Sequence, residues 1–114
     1  MSQNTYTFDS TEAKWAKLGE VYQDLTDEFG QENTERLSST DVSVEGMGNY
    51  GHRQEVMIWY DWTRGDGVNE GWMVKLEDGD ETRKKIFNED FASALEFFQK
   101  GVQRLRDGSS VYTI

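Results

Sequence analysis

The chain contains no cysteine and no proline, has one histidine, and in 114 residues offers no apolar run near the ~18 residues a membrane span needs. Without cysteine there is no disulfide framework, no thiolate metal site and no thiol nucleophile, which fits a reducing compartment. The single imidazole, His52, follows a glycine turn and has no nucleophile or second ligand beside it, so it reads as a turn histidine rather than a catalytic or metal-binding one. The opening residues, MSQNTYTFDS, lack the basic and apolar stretches of a signal peptide, so the expected location is cytoplasmic. With no proline, repeat or low-complexity tract to mark a linker, the expectation is one domain over 1–114, with the polar residues 1–8 frayed.

Cations are also scarce: 12 Lys and Arg stand against 22 Asp and Glu, a formal net charge of -10. That sign repels nucleic acid and anionic lipid, both of which need counter-charges from the protein, so direct nucleic-acid binding and membrane attachment are excluded. The acidity then serves either solubility and salt tolerance or recognition of a protein partner with a basic surface. Signatures of catalysis are missing as well. No Gly-rich phosphate loop leads into a helix, no Ser sits in a G-x-S-x-G context, and paired carboxylates are too common here to be informative. The loop TRGDGVNEG carries Asp, Asn and Glu without calcium-loop spacing, and its Arg64-Gly65-Asp66 is treated as coincidence. The expectation is a protein that is not an enzyme and holds no metal or cofactor.

What is present argues for a folded core. Hydrophobic residues make up 35% and aromatics 13%, against a mean hydropathy of -0.83, enough to exclude an intrinsically disordered chain. The most apolar run is Gln54 to Trp62, QEVMIWYDW, too short for a stable helix and rich in β-formers. Its alternation places Val56, Ile58, Tyr60 and Trp62 on a core face, and Glu55, Met57, Trp59 and Asp61 on the other. DVSVEGM, from Asp41, alternates likewise, and Gly48, Asn49, Tyr50 and Gly51 supply a hairpin turn. A second hairpin centred on Asp66 leads to WMVKLE. That register sets Val56 against Leu76, Ile58 against Val74, Tyr60 against Trp72 and Trp59 against Met73. After the turn Asp78-Gly79-Asp80, Glu81 to Phe87 forms an edge strand protected by Arg83, Lys84 and Lys85.

Two helices flank these strands. The first starts near Asp9 to Thr11, carries the stripe Trp15, Leu18, Tyr22, Leu25 and Phe29, and ends near Gly30. Gln31 to Leu37 could continue it with a Glu32–Arg36 pair. The second opens at Asn88 to Asp90, buries Phe91, Leu95, Phe98, Val102 and Leu105, and stops at Asp107-Gly108. The tail SSVYTI adds either an edge strand or a cover for the core. The expected architecture is an α+β two-layer sandwich: N-terminal helix, antiparallel meander of three to four strands, C-terminal helix, both helices on one sheet face.

Two surfaces follow from that arrangement. Glu20, Asp24, Asp27 and Glu28 fall on the outer side of the first helix, where carboxylates four residues apart lie about 6 Å apart along the axis. Such a ladder either is a plain solvated helix face or imitates a run of phosphates. On the sheet face away from the helices, Met57, Trp59 and Met73 form an exposed island ringed by Asp41, Glu45, Glu55, Asp61 and Glu77, with Lys75 and Arg83 or Lys85 toward the far edge. The leading expectation is a non-catalytic protein-binding module, a small acidic inhibitor of a basic nucleic-acid-binding or nuclease partner, anti-defence or immunity-like. The alternative is an adaptor or homodimer joined through the sheet face. Less weight falls on a small-molecule binder with Trp and Tyr residues lining a pocket.

Overall fold

The computed structural model describes residues 10–48, 51–61 and 71–113. Helix α1 (Thr11–Phe29) is followed by a 3₁₀ turn (Gln31–Asn33), strands β1 (Thr34–Glu35), β2 (Asp41–Met47), β3 (Arg53–Asp61), β4 (Gly71–Asp78) and β5 (Glu81–Asn88), helix α2 (Phe91–Asp107) and a 3₁₀ turn (Val111–Thr113). The strands pair antiparallel in sequence order, β1-β2-β3-β4-β5. This is the expected α+β layer with five strands in place of three to four. The frayed start, Asn49 and Tyr50 of the first turn, Trp62 of the core face and residues 63–70 of the second hairpin loop lie outside the described residues.

α1 begins where Ser10 caps it, its hydroxyl accepting from Ala13 N–H at 3.1 Å. It ends at Gly30, whose φ of +96° turns the chain aside at low steric cost only because the residue lacks a Cβ. The Asn33 side-chain amide then donates to the Phe29 carbonyl at 2.7 Å, supplying a partner that a continuing helix would have provided. The expected extension through Leu37 is therefore replaced by a 3₁₀ turn and the added strand β1. Nor does Arg36 pair with Glu32 as expected: it donates to the carbonyls of Trp15, Ser38 and Ser39, stitching the β1–β2 turn to α1. The buried stripe of α1 is Leu18, Val21 and Leu25. Trp15 is displaced to 38% exposure, and Tyr22 and Phe29 pack at the core margin.

The hairpin register is as the alternation requires: Val56↔Leu76, Ile58↔Val74, Tyr60↔Trp72 and Trp59↔Met73. With Val42↔Ile58 and Val44↔Val56 from β2, one face of the sheet becomes a layer of fully buried Val, Ile and Leu. Each such side chain removed from water is worth roughly 1.5–3 kcal/mol. Both helices lie on this face, α1 against β1 and β2, α2 chiefly against β3, β4 and β5. α2 can approach closely because Gly101 has no side chain: a Cβ there would lie 2.8 Å from Leu76 and 2.9 Å from Val56.

α2 is capped by Asp90, whose carboxylate accepts from the Ser93 N–H at 3.0 Å and hydroxyl at 2.7 Å. Those bonds, the hydroxyl's first, hold the Asp90 carboxyl below its ordinary pKa. Gly108 closes the helix in the left-handed conformation. The tail lies over the core rather than adding a strand, with Val111 fully buried. Gln54, 1% exposed on β3, holds it there: its amide donates to the Ser109 carbonyl at 3.0 Å, and its oxygen accepts from Val111 N–H at 2.8 Å. Gln54→Leu keeps the volume and orphans both backbone groups, so we expect a loss of about 2–4 kcal/mol. Urea unfolding reads this loss, and hydrogen exchange at the Val111 amide should lose protection first.

Candidate protein-binding surfaces

The four expected carboxylates of α1 do not share one fate. Glu20, Asp24 and Asp27 are exposed, with Glu20 3.9 Å from Lys17 and Asp27 accepting from Gln23 at 3.1 Å. Glu28 instead binds across to α2, where Arg106 grips it through both Nε and Nη2, the latter at 2.7 Å. This two-point pair, hydrogen bonding first and charge second, lowers the Glu28 pKa and raises that of Arg106. It sits at the end of a cleft of about 280 Å³ between the helices, floored by Val21, Leu25, Phe98 and Val102. Glu28 is thus a helix-to-helix tie, and it leaves a shortened ladder on α1.

Acidic groups continue past the helix by a different route. Glu32 on the 3₁₀ turn and Glu35 on β1 border a concavity of about 130 Å³ shared with Ser43 and Glu45 of β2. Among the described residues Asp24, Glu32 and Glu35 make no ion pair, whereas Glu45 is bound by Arg53. Glu32 and Glu35 do not continue the helix. The turn at Gly30 brings them instead to the sheet edge. Acidic groups therefore stand in two places: Glu20, Asp24 and Asp27 on α1, with Asp24 lining the cleft toward α2, and Glu32 and Glu35 at the β1 edge of the sheet.

On that outer face the strand registers form rows. Asp41, Trp59, Met73 and Ile86 make one, and Ser43, Met57, Lys75 and Lys84 the next. Met57 and Trp59, expected in an exposed island, are half-buried, as is Asp61 of its expected rim, and Met73 is only 6% exposed and so is not part of an exposed patch. Ile86, 42% exposed, extends the apolar row instead; the sequence reading did not assign it to this face. Asp41 is buried too, because its carboxylate accepts from the N–H groups of Leu37 and Ser38 and from the Ser38 hydroxyl. Lys75 bonds to Glu55 at 2.7 Å. Desolvation pulls its pKa down, but the Glu55 bond and the charges of Glu55, Glu77 and Glu45 outweigh it, leaving a net rise.

Arg83 and Lys85 are not on this face. Their registry with Leu76 and Val74 turns them to the helix side, where Lys85 lies 5.0 Å and Arg83 6.0 Å from the Phe97 ring centre. A bulge opposite Trp72 and Met73 then lets Phe87 reach Phe97. Among the described residues no three His, Asp or Glu side chains gather to hold a metal ion, and no helix is long and apolar enough to cross a membrane. Comparison with protein-family models, curated proteins and solved structures finds no match to this chain.

Removing the inter-helix tie has a signed pH dependence. The folded-state pKa of Glu28 lies below the ordinary 4.5, so the pair contributes fully above about pH 4.5 and loses that contribution as pH falls through the folded value. Both side chains are 40% exposed, which screens the pair to about 0.5 kcal/mol. Glu28→Gln should therefore be less stable than wild type by about that much at neutral pH. Below pH 4.5 the two unfolding curves should converge; a gap that persists in acid would show that packing, not charge, is lost.

Proposed function

We propose that this protein is a non-catalytic binding protein that offers its acidic surface to a basic protein partner, occluding a site that would otherwise engage nucleic acid. The observation that carries the reading is the exposure of Glu20, Asp24 and Asp27 on α1 and of Glu32 and Glu35 on the turn and β1 that follow it. Carboxylates spaced along such a surface meet a basic cleft much as phosphates do, and the net charge of -10 adds long-range attraction. Glu28 contributes less than its neighbours because Arg106 already neutralises it.

A second reading rests on Ile86. Its exposure beside the row of Trp59 and Met73 lengthens an apolar strip on the outer sheet face, which suits an adaptor or homodimer seam. The two readings separate by salt. Affinity capture from host lysate should yield a nucleic-acid-binding protein that is released by high salt and by competing DNA or RNA. The triple variant Glu20→Gln/Asp24→Asn/Asp27→Asn should bind it about three- to a hundredfold more weakly, from roughly 0.2–1 kcal/mol for each charge. Capture that resists salt and is lost in Trp59→Ala would instead establish the seam.

A further inference from the structure

The N-terminal ends of both helices and the adjoining end of the sheet enclose a cavity of about 250 Å³ that the acidic surface does not use. Trp72, 2% exposed, is its floor, held edge-on between Tyr60 at 5.3 Å and Phe91 at 4.7 Å between ring centres. Trp15 stands at its margin, which gives a physical role to a large aromatic that the core leaves 38% exposed. Among the described residues Thr11, Lys14, Thr40 and Glu89 complete the lining. The Tyr60 hydroxyl donates to Glu89 Oε2 at 2.6 Å, orienting the carboxylate while its other oxygen makes no bond among the described residues.

Lys14 and Glu89 line the same cavity and yet form no ion pair with one another. An ammonium and a carboxylate that line one aromatic-floored cavity without pairing match a ligand that carries both charges. We propose that this cavity binds a free α-amino acid with an apolar side chain: its ammonium on Glu89 and the Thr40 hydroxyl, its carboxylate on Lys14, its side chain between Trp15 and Trp72. A primary ammonium is favoured over a quaternary one because Glu89 and Thr40 offer acceptors that need N–H donors. The volume, below the ~300 Å³ at which drug-sized pockets begin, suits a ligand of this size.

The test is titration calorimetry of the full-length protein with leucine and phenylalanine, and with their N-acetyl and amide derivatives, each of which lacks one charge. The free amino acids should bind with dissociation constants in roughly the millimolar to tens-of-micromolar range expected of so small a ligand. Either blocked derivative should bind at least about tenfold more weakly, as should the variants Glu89→Gln and Lys14→Gln. Lys14 and Glu89 sit near the protein surface, so both variants should fold, which circular dichroism verifies. Heat absent for both amino acids overturns the proposal. So does equal binding of the blocked derivatives, which would reduce the site to an apolar slot, and so does binding unchanged in both variants.

Discussion

The pleat of β3 is the constraint on which the other parts depend. Its side chains alternate strictly between two faces, and because it pairs on both edges, a shift of one residue would turn Val56 and Ile58 outward and bring Glu55 and Met57 under the helices. Correct registry on one edge aligns Val42 and Val44; on the other it aligns Val74 and Leu76. The helices then have a single apolar layer to cover. Gln54 extends that dependence to the end of the chain, since its position on the core face brings its amide beneath the tail.

This explains how much could be read from the sequence. The β3–β4 register, the cap at Ser10 or its neighbour, the stripe of α2 and the placement of both helices on one face follow from periodicity and capping chemistry, which are local properties. The departures come from contacts between distant segments. Val21 displaces Trp15 from the stripe of α1 because α1 covers only the β1–β2 side of the sheet. The pairing of Glu28 with Arg106 joins positions 78 residues apart, and no helical wheel of α1 alone reveals it. Gln54 reads as an ordinary polar residue until the tail it holds is in place.

The two surfaces differ in legibility for the same reason. The carboxylates of α1 were evident, because exposure on a helix follows from its period. The island of Met57, Trp59 and Met73 was only half evident: the pleat assigns the face but not the depth, and Met73 on an inner strand is more enclosed than Ile86 on the edge. Arg83 and Lys85 show the reverse difficulty. Charge suggested the outer face, whereas the registry with Val74 and Leu76 places their stems beside Phe97, with cationic heads over an aromatic ring.

The same placement bears on how these molecules behave toward one another when crowded. Among the described residues β5 has an outer edge with no strand beside it, the kind of border along which sheets can polymerise. A second copy approaching antiparallel about Lys84 would set lysine against lysine, with Arg83 and Lys85 of each chain opposing one another on the same side. Three consecutive cations thus make the strand repel its own likeness, in a protein whose net charge is -10, and keep an unpaired border from becoming the seed of a fibre.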